Sequence, residues 1–140
     1  MGFLPKRIQM KFTKYKVIFE PFTERHFIKS FAKKYKRAWD FTLKFLEKEF
    51  EQIDLLFLKN IAETIVDSKE IKICKTEFKI ASTEQSRHSS GNRCIVALHK
   101  DTSIVCVLLV YHKNYLGDGN ETAKWKQVIK DNYPKYKDLL

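Results

Sequence analysis

The chain has little of what loop-rich, disulfide-built or membrane-spanning proteins need. Four glycines and three prolines among 140 residues exclude collagen-like and low-complexity disordered chains, and predict regular elements joined by short loops. Cys74, Cys94 and Cys106 form no CxxC pair and no Cys/His metal spacing. An odd number of cysteines in apolar or alternating stretches reads as reduced, structural thiols in a cytoplasmic setting. The longest apolar run, 104–111, is too short to cross a bilayer, and the first residues lack the apolar core of a signal peptide. A Gly-rich phosphate loop, a Ser/His/Asp order and zinc-ligand spacing are all missing, so no metal, small-molecule cofactor or membrane partner is expected.

What is present is aromatic and basic. Eleven Phe, six Tyr and two Trp supply a core large enough for one domain. Lys and Arg outnumber Asp and Glu by 27 to 17, a net charge of +10, which points to a polyanionic partner: RNA, DNA, anionic lipid or an acidic protein.

Residues 1–14 carry Lys6, Arg7, Lys11 and Lys14 without an acid and read as a basic arm before a domain spanning 15–140. Residues 15–19 are β-branched and aromatic, a short strand that Pro21 ends. Helical spacing of Phe27, Ile28, Phe31, Ala32 and Tyr35 predicts a helix over 24–35 with a basic outer side at Arg25, Lys29 and Lys33. A second stripe, Trp39, Leu43, Leu46, Phe50, Ile53 and Phe57, predicts a helical stretch to about residue 57. With no Gly or Pro between, the two form either one long helix or a hairpin turning near Lys36, and a compact domain favours the hairpin. A helical turn is expected over 60–66. The period then changes to two. Ile71-Lys72-Ile73 and Glu77-Phe78-Lys79-Ile80 alternate out of phase, which predicts a bulge or break near Cys74. A polar loop over 82–92, strands over 93–99 and 102–112, and a final helix over 121–132 stopped by Pro134 complete the pattern. The apolar run of the last strand places it inside the sheet. The fold class expected is α+β: a small, mostly antiparallel sheet packed on an N-terminal helical pair, with a C-terminal helix.

Four segments carry a family resemblance. Glu77-Phe78-Lys79-Ile80 is similar to the Lys/Arg-rich second strand of the RelE/ParE toxin superfamily. Ser89-Ser90-Gly91-Asn92-Arg93-Cys94-Ile95-Val96 resembles its S-G-x-R-hydrophobic segment. Val107-Leu108-Leu109-Val110-Tyr111-His112-Lys113 resembles its last core strand, and Phe31-Ala32-Lys33-Lys34-Tyr35 its first helix. The resemblance spans about residues 15–132. The helical region and the 82–92 loop are longer than the family's minimal form.

The resemblance implies a type II toxin, of RelE, HigB or YoeB type, that cuts mRNA on the ribosome by attack of the RNA 2′-hydroxyl on the adjacent phosphate, without metal. It also implies an acidic antitoxin as protein partner. Such chemistry needs a proton acceptor, cations at the phosphate and a proton donor for the leaving oxygen. The catalytic candidates are His112, Arg93, Tyr111, Lys79 and Arg87. The RNA-binding candidates are His88, Lys113, Tyr115, Arg25, Lys29 and Lys33. Histidine titrates nearest neutrality, which suits acid–base work. A guanidinium grips phosphate with two donors, and tyrosine can stack on a base. Each also has a plainer use: Arg93 in a surface ion pair, His112 bonded to backbone at a strand end, His88 idle in a loop, Tyr111 in the core, Lys79 on a solvated strand face. Two other readings stay open, a ParE-like gyrase inhibitor and a non-enzymatic nucleic-acid-binding module.

Overall fold

The structure is a computed structural model that describes residues 13–140. All but the last two residues of the expected basic arm therefore lie outside the described residues. Strand β1 is Lys16–Phe19. Helix α1 follows as three abutting pieces, Pro21–Thr23, a π-helical stretch Glu24–Ile28, and Lys29–Tyr35. Pro21 starts it because proline lacks an N–H that the first turn would leave unbonded. Lys36 breaks the helix with a left-handed φ of 52°, and α2 runs over Arg37–Glu51. No glycine marks that turn. It is held by Phe31 stacking on Trp39 across the break at 4.7 Å between ring centroids. Helix α3 is Ile53–Leu58.

Strands β2 (Glu63–Asp67), β3 (Ile71–Phe78), β4 (Asn92–His99) and β5 (Ile104–His112) complete a five-stranded sheet of order β1-β5-β4-β3-β2. The β1–β5 pair is parallel and the rest antiparallel. As its apolar run predicts, β5 is an inner strand. Helix α4 is Glu121–Asn132, with the Asn120 side chain accepting from the Ala123 N–H. Short 3₁₀ turns lie at Lys113–Leu116 and Pro134–Leu139.

The sheet is covered on both faces. Phe31, Trp39, Leu46 and Phe50 pack on Cys74, Phe78, Cys94 and Val96 of one face. Trp125, Ile129 and Tyr136 pack on Ile73, Ile95 and Leu109 of the other. The three cysteines are free and buried, and desolvation pushes the Cys74 thiol up to about 12, so it stays protonated core material. Among the described residues no helix is long and apolar enough to cross a membrane.

Two expectations are corrected. The helical turn over 60–66 is instead the start of β2. Thr64, Ile65 and Val66 are β-branched and fit a pleated surface better than a helix, and Thr64 and Val66 pair with β3. The bulge near Cys74 is not in β3, which pairs with β4 without a break. It lies opposite, in β2, where the register skips Ile65. The apparent phase slip in β3 arises because both faces are covered, so Ile73 and Cys74 are both buried.

A second irregularity matters more. Ile95 pairs with Leu109 but Val96 pairs with Val107, which leaves Leu108 unpaired as a bulge in β5. The extra residue reverses the strand's alternation, so Leu108 and Leu109 both enter the α4-side core. Beyond it, Tyr111 faces α4 and Val110 faces α1 and α2.

Candidate functional site

Cross-strand partners share a face, and the register places two rows side by side at one end of the sheet. Glu77, Arg93 and Tyr111 are successive partners across β3, β4 and β5; Phe78, Asn92 and His112 form the next row. The first row faces α4 and carries the charge. The second row faces the α1–α2 side, where Phe78 is core.

The first row is a connected cluster. Arg93 is only 5% exposed. Its Nη1 donates to the Asn92 carbonyl at 3.2 Å and lies 3.7 Å from Glu77 Oε2, while its Nε lies 3.8 Å from Glu121 Oε2. Glu77 also meets His88, with Nδ1 2.9 Å from Oε2 and 3.2 Å from Oε1. The His88 side chain is 86% exposed, so the Glu77 carboxylate links a solvent-facing imidazole to a buried guanidinium. On the inner side, Tyr111 donates its hydroxyl to Glu121 Oε2 at 2.8 Å, and Lys75 Nζ sits 3.3 Å from the same oxygen. Burial raises the Tyr111 phenol far above its ordinary value, reinforced by the Glu121 hydrogen bond and charge, so it acts as a donor. Burial alone would raise Glu121. The Tyr111 hydrogen bond and the charges of Lys75 and Arg93 outweigh it and hold the carboxyl below its ordinary value.

The other sequence-predicted residues separate from this cluster. His112 lies on the opposite face. Its Nδ1 accepts the Asn114 N–H at 3.1 Å, which leaves the proton of the neutral ring on Nε2. Burial lowers its pKa, Lys34, Lys113 and Arg93 add to that, and a backbone hydrogen bond at Ser90 opposes it. Tyr115 stands beside it, 5.6 Å from the His112 ring and 5.8 Å from Phe31. Arg87 is committed to Glu49, with Nη2 on Oε2 and Nη1 3.3 Å from Oε1, and it also donates to the Glu77 carbonyl at 3.1 Å. Lys79 is exposed and reaches the Thr83 carbonyl at 3.3 Å. Lys113 is exposed, as are Arg25, Lys29 and Lys33 along α1.

The Ser90-Gly91-Asn92-Arg93 segment positions both rows. The buried Ser90 hydroxyl reaches the Phe78 and Arg87 carbonyls at 2.5 and 2.7 Å and accepts the Asn92 N–H at 3.0 Å. Gly91 has a φ of 77°, and a Cβ there would sit 2.6 Å from His112 Nε2. A side chain is excluded by backbone conformation and by the imidazole together.

Sequence reasoning missed Lys75, Glu77 and Glu121 as site residues. The signal for two of them was present: Lys75 and Glu77 share the parity that the pairing gives to Arg93. Glu121 carried none, because only the tertiary fold brings the start of α4 to β4. No group of three or more His, Cys, Asp or Glu side chains among the described residues has a metal-binding arrangement. An apolar hollow lies away from the cluster, on the other side of the sheet. Phe41, Phe45, Leu46, Phe78 and Ala81 line a groove of about 400 Å³ that runs along α2 and ends at the Arg87–Glu49 pair. A second hollow of about 330 Å³ continues it past Lys48 and Lys59.

No protein-family model and no curated protein matches the sequence. A solved structure does. A chain of the crystal structure of the archaeal RelE–RelB complex from Pyrococcus horikoshii OT3 superimposes with a TM-score of 0.50 at 9% identity, over 72% of this chain and 97% of that one. The fold is RelE-like. At that identity the likeness speaks for the path of the backbone. In this RelE-like fold the Glu77–Arg93–Tyr111 row lies across three adjacent strands, and helix α4 lies over its inner end.

Proposed function

We propose that residues 15–140 form a toxin of a toxin–antitoxin pair, and that it is a metal-independent endoribonuclease acting on ribosome-bound mRNA. The observation that carries this reading is the Glu77 carboxylate held between an exposed imidazole, His88, and a buried guanidinium, Arg93, on a RelE-like fold. In this account Glu77 takes the proton of the RNA 2′-hydroxyl. The 2′ oxygen bonds to phosphorus, the bond from phosphorus to the 5′ oxygen breaks, and protonated His88 supplies the proton that the leaving oxygen needs. Products are a 2′,3′-cyclic phosphate and a 5′-hydroxyl. Arg93 stabilises the charge on the phosphoryl oxygens. His112 and Gly91 position the loop that carries His88. Lys79, Lys113, Tyr115 and the α1 cations Arg25, Lys29 and Lys33 contact RNA and ribosome, with Tyr115 as a stacking surface, while Arg87, paired with Glu49, braces the Glu77 backbone carbonyl.

The partner half of the reading is an acidic antitoxin. It is supported by the groove along α2, where Phe41 and Phe45 are 56% and 60% exposed and Lys48, Lys59 and Lys79 line the walls. An acidic amphipathic segment matches both features.

The test is addition of purified protein to translating ribosomes, with message ends mapped. New ends with 2′,3′-cyclic phosphates are expected, and naked RNA should be cut poorly because the ribosome aligns the substrate. Intact message together with inhibited gyrase supercoiling would replace this reading with the ParE-like one. Neither effect would leave a binding module.

A further inference from the structure

Three donors from three adjacent strands converge on one atom. Tyr111 Oη, Lys75 Nζ and Arg93 Nε lie 2.8, 3.3 and 3.8 Å from Glu121 Oε2. The strands supply the donors, whereas the acceptor comes from elsewhere in the chain, as the first residue of α4. We propose that Lys75, Arg93 and Tyr111 form a binding site for a phosphate group, and that the Glu121 carboxylate occupies this site in the resting protein as an internal substitute for the ligand. The inference rests on the nuclease reading only for the source of the phosphate, the RNA backbone.

Two observations separate this from a simple ion pair that anchors a helix. First, the carboxylate satisfies two of the donors it faces, Tyr111 and Lys75, and leaves the third without a partner. Arg93 Nε is buried without a hydrogen bond, although Arg93 is more than nine-tenths buried. Buried donors are almost always paired, and this one lies 3.8 Å from Glu121 Oε2, beyond hydrogen-bond distance. All three donors lie nearest one oxygen of the carboxylate, and Arg93 Nε stays beyond hydrogen-bond distance of it. A tetrahedral phosphate presents several oxygens and can meet all three. Second, the charges balance only with an anion in place. Lys75 and Arg93 bring two positive charges and Glu77 one negative, so Glu121 supplies the charge that a bound phosphate would otherwise supply. The hydrogen bond from Tyr111 and the two cations keep Glu121 ionised, which is the state a phosphate mimic requires.

A ligand phosphate must therefore displace Glu121. The substitution Glu121→Gln keeps the side chain's shape and its ability to accept from Tyr111 but removes the charge. Inorganic phosphate binding to the full chain, read by calorimetry, should then tighten roughly tenfold or more, the size of one charge-assisted contact. The gain should vanish in the double variant Glu121→Gln/Lys75→Met. A parallel arm uses a 2′-O-methyl oligoribonucleotide, which binds but cannot be cut. A gain for both probes assigns the site to the RNA backbone, and a gain for phosphate alone assigns it to a free anion. Glu121→Ser, whose hydroxyl suits a helix start, carries the same measurements if the glutamine variant fails to fold. Unchanged phosphate affinity in the folded variant, or a gain that survives loss of Lys75, would show that Glu121 only anchors α4. Binding is read without cleavage. A variant that binds phosphate tightly while the wild type cuts no message would sink the nuclease reading and leave the anion site standing.

Discussion

The two faces of the sheet treat neighbouring residues in opposite ways. Toward α4, the row Glu77–Arg93–Tyr111 gathers charge, and each member finds a counter-group within about 4 Å. One residue along the same strands, the row Phe78–Asn92–His112 faces α1 and α2, where the neighbours are apolar or backbone. A buried guanidinium is tolerated on the first face because two carboxylates and a carbonyl surround it. On the second face the one arginine, Arg87, is sealed by Glu49 at the rim. The difference teaches that charged side chains here are sorted by strand parity, and that the Leu108 bulge sets the parity of the last strand. Were β5 to pair without skipping Leu108, Tyr111 and His112 would exchange faces.

The largest expected effect breaks the charged face. Arg93→Ala removes the cation proposed to stabilise the phosphate and should lower cleavage roughly 10²–10⁴-fold, the usual range for a positioned catalytic group. It also leaves Glu77 and Glu121 without their buried partner, at a stability cost of roughly 3–5 kcal/mol. Urea midpoints and single-turnover rates check the two losses separately, and near-wild-type cleavage would remove Arg93 from the site.

Next is the junction between the faces. Gly91→Ala meets a positive φ and the His112 ring at once, and should cost about 1–3 kcal/mol. In a His112→Ala background the same substitution should cost less, because the clashing imidazole is gone while the backbone strain remains. A double-mutant cycle in urea with no coupling would refute the packing of His112 over Gly91.

The two half-buried histidines and Glu121 differ in the pH window in which they respond to acid. His99 and His112 have folded-state pKa values lowered from 6.5, mainly by burial. Unfolded chains then bind more protons, so the stability these groups contribute is present above 6.5 and is lost as pH falls through their lower folded values. Glu121, lowered from 4.5, behaves with the same sign in a more acidic window. Urea midpoints should decline in two stages. His99→Gln with His112→Gln should flatten the first stage and leave the second. A single decline below pH 4.5 would contradict the burial assigned to the two rings.

The smallest effect on folding is on the groove. Phe45→Asp replaces an exposed ring and should change stability within about 0.5 kcal/mol, while weakening capture of an acidic antitoxin segment. Unchanged co-purification with such a partner would move the partner's contact elsewhere.

Much of this was legible in the sequence, for physical reasons that differ by element. The α4 boundaries follow from the Asn120 cap and Pro134, and the interior position of β5 from an apolar run that only two-sided burial explains. The break at Lys36 was expected only because a compact domain favours a hairpin over one long helix, since the left-handed residue there is a lysine and no Gly or Pro marks it. What escaped notice depends on register. Arg93 and Tyr111 were named as site residues together with His112, but a bulge at one leucine decides which of them share a face, and leucine does not announce a bulge. The β2 strand was missed because its branched residues follow α3 so closely that they read as the helix's continuation. Glu77 was visible inside a motif and passed over, because a carboxylate among cations reads as a counter-ion until its imidazole neighbour is known.

The central claim is that the α4 face, and not the His112 face, performs the chemistry. The most direct test compares single-turnover cleavage of one ribosome-bound message by Glu77→Gln and by His112→Ala, with folding of both verified. The account predicts a loss of roughly 10²–10⁴-fold for Glu77→Gln and less than about tenfold for His112→Ala, a group that only positions its neighbours. The reverse order, with His112→Ala inactive and Glu77→Gln near wild type, would contradict it.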